Sequence, residues 1–189
     1  ENKSVIYGYT FDKNEERFIT LESKSNDPAN LFMLEKGNRI KLTGVNDELI
    51  SSLDLRETEE IWFKNDGVDI VGWINHGDSS RKNTKPILLY NGGGPGGMRS
   101  NAFVFEFQYY SKLGFTVINC NARGNYGHGE EYSLAIKGHW GDLDVSDNIA
   151  FLNNYIKSSN NDGKNLFTAG GSYGGYITNW MICEHPNIF

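Results

Sequence analysis

Cysteines are scarce in this sequence, and long hydrophobic runs are missing from it. Only two of the 189 residues are cysteines, Cys120 and Cys183, and their spacing is that of neither a CxxC motif nor a metal site. Both lie in apolar-flanked segments, which predicts two buried free thiols and favours a reducing compartment such as the cytoplasm. No apolar run approaches the roughly 18 residues that a membrane-spanning helix needs, so we expect no membrane partner.

Positive charge is also in deficit. The 18 lysines and arginines are outnumbered by 24 acidic residues, which gives a formal net charge of −6. Proteins bind nucleic acid through clustered lysines and arginines, so we expect no nucleic-acid partner. We also expect no cofactor and no metal, and nothing in the sequence indicates an oligomeric state. The 38% hydrophobic residues and 22 glycines are instead typical of a globular chain with a core.

Residues 1–46 consist of short β-rich runs separated by turn sequences. This spacing, without helical periodicity, predicts an antiparallel meander or the blade of a β-propeller. A four-stranded sheet is only marginally stable alone, so we expect neighbouring strands upstream. We also expect partly exposed apolar side chains, among them Phe18, Ile19, Phe32 and Leu34. The predicted strands are Val5–Thr10, Arg17–Glu22, Leu31–Leu34 and Arg39–Leu42.

After a polar connector at residues 47–60, residues 61–189 have the pattern of an α/β domain. A hairpin is predicted around Asn65-Asp66-Gly67. Beyond it, buried strands alternate with helices, which indicates a parallel sheet. Asp142 and Asp144 are placed to cap one of these helices. The predicted buried strands are Pro86–Tyr90, Phe115–Asn119 and Asn165–Ala169, and the predicted helices are Phe103–Leu113, one from about Asp144 to Ile156, and residues 176–184.

The pattern Gly170-x-Ser172-x-Gly174 matches the nucleophile elbow of α/β-hydrolases. In that motif the serine sits on a tight strand-to-helix turn, which closes only when the flanking residues are small. The pattern is short enough to occur by chance, but here an apolar strand precedes it and a helical segment follows. The alternative is a glycine-rich turn with an idle serine. We predict that Ser172 is a nucleophile.

A second glycine-rich loop, Asn91–Gly97, follows the strand Pro86–Tyr90 directly. In α/β-hydrolases the loop after this strand supplies one N–H of the oxyanion hole, and the residue after the nucleophile supplies the other. A phosphate-binding Walker loop is excluded, because no Gly-Lys-Ser/Thr follows. A dinucleotide-binding loop is disfavoured by Pro95 and by the glycine spacing, while a flexible turn remains an alternative.

None of the four histidines has the position expected of a catalytic base. His76, His128 and His139 precede Ser172, whereas this fold places its histidine after the nucleophile and after the acid. His185 follows Ser172 by a single helix, with no strand between them to carry the acid. We therefore expect structural or surface roles for all four.

Four segments, in order, resemble the prolyl oligopeptidase family of serine peptidases, and are most similar to its acylaminoacyl-peptidase and dipeptidyl-aminopeptidase-like branch. Leu53–Ile70 is similar to the passage from propeller to hydrolase domain in that branch. His185-Pro186 stands where family members commonly carry a His-Pro whose histidine is not catalytic. The four segments are Asn91–Gly97, Asn121–Gly127, Trp140–Val145 and Gly170–Tyr176.

The resemblance implies an α/β-hydrolase domain at residues 61–189, preceded by the last blade of a β-propeller at residues 1–46. It implies cleavage of peptides small enough to pass the propeller, through an acyl-enzyme on Ser172. The Tyr173 N–H takes the place of one oxyanion donor. The Gly94 N–H takes the place of the other, with Gly93 as second choice.

Two features depart from the family pattern. The branch usually has His-Gly-Gly-Pro in the oxyanion loop, and Gly92 stands at the histidine position, which we expect to loosen the loop. The acid and histidine of the family lie well downstream of Ser172, so we expect a fragment that is inactive by itself. A carboxylesterase sharing the elbow and a non-catalytic binding protein are the alternatives, and acylaminoacyl, dipeptidyl and internal cleavage are not distinguished.

Overall fold

The computed structural model describes residues 4–14, 16–78, 80 and 86–189. The chain divides into two compact units. The first unit comprises Glu1–Thr58 and Ser100–Gln108, and the second comprises Glu59–Arg99 and Tyr109–Phe189.

The first unit contains a four-stranded antiparallel sheet in which each strand pairs with its neighbour in sequence. A short helix, α1 (Asp47–Ser51), follows the sheet. All four predicted strands are confirmed, although the third begins earlier than predicted. Lys24 pairs directly with Asp27, so β2 and β3 are joined by a tight hairpin turn, in agreement with the predicted turn sequence between them. The strands are β1 (Val5–Phe11), β2 (Arg17–Lys24), β3 (Asp27–Glu35) and β4 (Asn38–Lys41).

The expected exposure of apolar side chains in this sheet is confirmed for some residues and wrong for one. Phe18 is 39% exposed and Leu34 is 36% exposed. Phe32, in contrast, is only 5% exposed. The guanidinium of Arg39 lies 3.5 Å from the centre of the Phe32 ring and is also paired with Glu22 at 2.8 Å. The guanidinium of Arg39 therefore covers one face of the Phe32 ring in a cation–π contact, and the strand pattern did not predict this contact.

The second unit contains a five-stranded mixed sheet in the order β5-β6-β8-β7-β9. The predicted hairpin around Asn65-Asp66-Gly67 is confirmed, with positive φ at both Asp66 and Gly67. β7 runs parallel to β8 and to β9, as predicted, whereas β6 runs antiparallel to β8. The strands are β5 (Glu59–Asn65), β6 (Val68–Asn75), β7 (Ile87–Asn91), β8 (Thr116–Cys120) and β9 (Leu166–Gly170).

Helices in the second unit pack on this sheet around one hydrophobic core. Phe151 of α4 is fully buried, and its ring stacks on Phe63 of β5 at 5.2 Å between centroids. A β-carbon at Gly72 would collide with the Phe151 ring, so this strand position has to be glycine for the helix to approach. The helices after α1 are α2 (Phe105–Lys112), α3 (Glu130–Leu134), which the sequence did not predict, α4 (Leu143–Ser158) and α5 (Tyr173–Glu184).

Two local predictions need correction. Cys120 is buried as predicted, but Cys183 is exposed, because it lies on the side of α5 away from the buried Ile177 and Met181. Asp142 occupies the N-cap position of α4 without forming a side-chain capping hydrogen bond. In the part of the chain that the structure describes, no helix is long and apolar enough to cross a membrane.

Candidate active site

The two glycine-rich loops begin side by side at one edge of the second sheet. In the parallel pair of β7 and β9, Asn91 is opposite Gly170, so the loops that follow start at the same level. The buried amide of Asn91 donates to the hydroxyls of Thr168 on β9 and Thr178 on α5, at 2.8 and 2.9 Å. These bonds join the end of β7 to both elements that flank Ser172.

Ser172 lies in the turn between β9 and α5, as predicted from the sequence. Its backbone angles, φ 57° and ψ −123°, lie in a region that non-glycine residues rarely adopt. The turn is crowded, because a β-carbon at Gly174 would collide with the carbonyl of Asn91, and one at Gly170 would lie 2.6 Å from the Gly174 backbone. Conformations of this kind cost about 1–3 kcal/mol and persist where the surrounding structure imposes them.

The Ser172 side chain is exposed at the start of α5, next to the two predicted oxyanion donors. A β-carbon built on Gly93 would lie 3.9 Å from the Ser172 β-carbon, which places the Gly93-Gly94 peptide beside Ser172. Gly94 has φ 148°, and a side chain there would crowd the backbone nitrogens of Gly96 and Gly97. Within the described residues, the N–H groups of Tyr173 and Gly94 donate no hydrogen bond. Both are therefore available to a ligand oxygen.

The side chain of Tyr173 is fixed by a buried carboxylate that sequence analysis assigned only to helix capping. The Tyr173 hydroxyl donates to Asp144 at 2.5 Å. The other oxygen of Asp144 accepts the N–H groups of Gly141 and Val145, each at 3.0 Å. Burial raises the pKa of Asp144, against the effect of these hydrogen bonds, and burial together with Asp144 raises the pKa of Tyr173. Asp144 thus holds the side chain of the residue that directly follows Ser172.

Residues 101–189 match the sequence profile of the prolyl oligopeptidase family. These residues belong to this family. Its relatives include an uncharacterized peptidase, YuxL, of Bacillus subtilis, which is 33% identical over 184 residues, 95% of this chain and 28% of the relative. Dipeptidyl-peptidase 5 of Porphyromonas gingivalis is 28% identical over 168 residues, 86% of this chain and 25% of the relative.

Among solved structures, the acylaminoacyl peptidase of Pyrococcus horikoshii superposes on the whole chain with a TM-score of 0.91 at 26% identity. This chain covers 30% of that peptidase. The chain therefore spans less than a third of the length of each of these three proteins.

A buried ion pair anchors the segment that follows β8 in this family member. Arg123 is bound through its backbone N–H and its guanidinium to Asp147 of α4, with the shortest contact at 2.6 Å. Asp147 is fully buried, and Arg123 also reaches the exposed Asp66 at 2.9 Å. These carboxylates raise the pKa of Arg123. The pair is buried and bidentate, a geometry in which the hydrogen bonds between charged groups are strong. We therefore assign it a structural role.

The histidines occupy other parts of the second unit, as the sequence predicted. His76 pairs with Glu59 at 2.6 Å. The ring of His128 packs against Trp62 and Tyr132. His185 ends α5 and lines a cavity of about 430 Å³ with Asn65 and Ser146, on the helix end opposite Ser172. Among the described residues, no histidine hydrogen-bonds to Ser172, and no group of three or more His, Cys, Asp or Glu residues is placed to hold a metal ion.

Proposed function

We propose that this chain carries the nucleophile and the oxyanion hole of a serine peptidase that hydrolyses short peptides. The observation that carries the proposal is the backbone of Ser172, which is held at φ 57° and ψ −123° at the start of α5. That geometry exposes the hydroxyl at the edge of the sheet, with two unengaged backbone N–H groups beside it. Membership in a family of peptidases supports peptides as the substrate class.

In the proposed mechanism, Ser172 Oγ attacks the carbonyl carbon of the scissile peptide bond while a general base takes the hydroxyl proton. The N–H groups of Tyr173 and Gly94 donate to the oxygen that becomes negative in the tetrahedral intermediate, and the Gly93 N–H is the second choice for the latter role. Donors of this kind contribute about 3–4 kcal/mol to the transition state. The amine leaves with a proton, and water then releases the acyl group from Ser172.

The proposal assigns residues 1–46 to the last blade of a β-propeller, residues 47–60 to a connector, and residues 61–189 to an α/β-hydrolase domain. An antiparallel meander of four strands in sequence order supports the blade assignment. The parallel strands that end beside Ser172, with a helix after each loop, support the hydrolase assignment. The relatives include both a dipeptidyl peptidase and an acylaminoacyl peptidase, so they do not favour one type of peptide N-terminus over the other.

The direct test is reaction of the complete protein with a fluorophosphonate, followed by turnover of peptide amides and of simple esters. We expect rapid labelling that Ser172→Ala abolishes together with peptide turnover. Ser158→Ala, at an exposed position on α4, is the matched control and should change neither. Hydrolysis of esters without peptides would favour a carboxylesterase, and absence of labelling would favour a non-catalytic binding protein.

A second measurement isolates the contribution of the general base. The 189-residue chain by itself should be labelled slowly, because no described residue hydrogen-bonds to Ser172 Oγ and an unassisted hydroxyl stays protonated at neutral pH. Rapid labelling of this chain that Ser172→Ala removes would show that a histidine within it acts as the base. His128, His139 and His185 would then be substituted in turn.

A further inference from the structure

The guanidinium of Arg99 occupies the space beside Gly92 where a side chain at position 92 would lie. A β-carbon built on Gly92 would collide with both Nη2 and Nε of Arg99. Glycine at this position is therefore what allows the arginine to reach the oxyanion loop from seven residues further along the chain. The space beside Gly92 is thus filled by the side chain of Arg99, two residues beyond the end of the loop. The expectation that Gly92 loosens the loop did not include this contact.

Arg99 binds the peptide that carries the predicted oxyanion donor. Its Nη2 donates to the carbonyl oxygen of Gly93 at 2.7 Å. The only cis bond among the described residues is Gly94-Pro95, so the Gly93-Gly94 peptide is trans. In a trans peptide the N–H points opposite to the C=O, because the six atoms of the unit are coplanar. By holding the Gly93 carbonyl, Arg99 fixes the direction of the Gly94 N–H, which points away from the guanidinium.

The backbone of Arg99 is itself clamped to the end of β8. Its N–H donates to Asn121 Oδ1 at 2.6 Å, and Asn121 Nδ2 donates back to the Arg99 carbonyl at 3.0 Å. Asn121 is 2% exposed, and its own carbonyl accepts the hydroxyl of the buried Tyr132 at 2.5 Å. The guanidinium that contacts Gly93 therefore extends from a backbone held by two hydrogen bonds.

Among the described residues, Arg99 forms no ion pair with a carboxylate, and its Nε is buried without a hydrogen-bond partner. A charged donor on the Gly93 carbonyl polarises the peptide and strengthens its N–H as a donor. A fixed positive charge one peptide away also favours the negative oxygen of the intermediate over the neutral substrate carbonyl.

We propose that Arg99 is a positioning residue of the oxyanion hole, which aims and polarises the Gly93-Gly94 peptide in the space that Gly92 leaves open. The inference rests on the proposed function of Ser172. It concerns an arginine that acts through a backbone peptide and does not itself touch the substrate. Arg99 should stabilise the transition state more than the bound substrate, because the substrate carbonyl oxygen that accepts the Gly94 N–H becomes negative only during the reaction.

The test uses Arg99→Met and Arg99→Lys in the complete protein, with peptide hydrolysis measured at steady state. Arg99→Met should lower kcat by about tenfold to a hundredfold with KM nearly unchanged, since the donor is misdirected but not removed. Arg99→Lys, which keeps the charge without the fork of donors, should fall between Arg99→Met and the wild type. Arg39→Met, which removes a half-buried arginine of the four-stranded sheet, is the control for general destabilisation and should leave kcat unchanged.

Two further readouts separate positioning from a structural role. A peptidyl trifluoromethyl ketone forms an anionic adduct with the nucleophile, so Arg99→Met should weaken its binding by the same factor as kcat, and binding of a product peptide should stay constant. Gly92→Ala places a methyl group where the Arg99 guanidinium lies and should disrupt the same contact. The double variant with Arg99→Met should therefore be no slower than the slower single variant.

Equal weakening of ketone and product binding, or additive losses in the double variant, would overturn the inference. If wild type is labelled at Ser172 and Arg99→Met is labelled at the same rate, the inference fails while the proposed function stands. If wild type is not labelled at all, both fail.

Discussion

The two sheets of this chain find their strand partners in different ways. In the first unit every strand pairs with the next one in sequence, through short turns. In the second unit β7 pairs with β8 and β9, and β6 pairs with β8, across long intervening segments. Closing long loops costs more conformational entropy than closing hairpins, so the second sheet depends more on what its helices bury against it.

Burial differs between the two sheets in the same direction. Ile70, Ile118 and Phe151 of the second unit are fully buried. The first sheet leaves many large apolar side chains at least one-third exposed, among them Ile6, Tyr9, Phe11 and Phe18. The strained turn at Ser172 therefore lies in the region with the tighter packing, where surrounding contacts can hold an unfavourable backbone in place. Equivalent substitutions in the two units should therefore have different effects.

The largest difference is expected for phenylalanine truncation. Phe151→Ala removes a fully buried ring stacked on Phe63 and should cost about 3–5 kcal/mol. Phe18→Ala, at a position 39% exposed in the first sheet, should cost less than about 1 kcal/mol. Urea titration of both variants of the 189-residue chain measures the difference. Equal losses would mean that the first sheet is as closely packed as the second.

Breaking ion pairs should separate the two regions next. Asp147→Asn leaves the buried Arg123 with only the exposed Asp66, and it should cost about 3 kcal/mol. Glu35→Gln removes the partner of the exposed Arg17 in the first sheet and should leave the unfolding midpoint unchanged. Thermal unfolding of the two variants gives the comparison. A small effect at Asp147 would show that the segment after β8 does not depend on this pair.

Replacing a glycine with alanine should have a smaller effect, which again differs between the two regions. Gly174→Ala pushes a β-carbon into the Asn91 carbonyl, and it should cost about 2 kcal/mol and slow the labelling of Ser172. Gly8→Ala in β1 meets nothing within 4 Å, so stability and labelling should stay as in wild type. Unfolding midpoints and fluorophosphonate labelling rates test both parts. Normal labelling of Gly174→Ala would contradict a crowded turn at Ser172.

The smallest effect is a dependence on pH that belongs to the second unit. Burial raises the pKa of Asp144 above its ordinary 3.8, so the native state binds this proton more tightly than the unfolded chain does. The stability of wild type relative to Asp144→Asn should therefore be greatest below pH 3.8 and decrease as pH rises through the raised pKa. Unfolding of both proteins at several pH values gives the difference, in which other titrating groups cancel. A difference that grows with pH would contradict the raised value.

Much of the fold could be predicted because its signals are local. The hairpin at Asn65-Asp66-Gly67, the apolar strands and the strand-turn-helix around Ser172 each depend on neighbours in sequence. The errors concern contacts that arise between distant residues. Phe32 is covered by Arg39, and Asp144 meets Tyr173 across 29 positions, although it was predicted to cap a helix. Residue type predicts which side chains prefer burial, but not which partner comes to cover them.

Local sequence is enough to place the strands, the longer helices and the serine that follows a strand with small residues on either side. These features depend on turn chemistry and on the periodicity of apolar residues, which act over a few positions. Only the tertiary structure decided that β7 lies between β8 and β9. That order brings Gly93 to Ser172, and the fold of the loop brings Arg99 to Gly93. Local patterns do not encode this strand order, because parallel strands are joined by long crossover segments and are brought together by the packing of the helices in those segments.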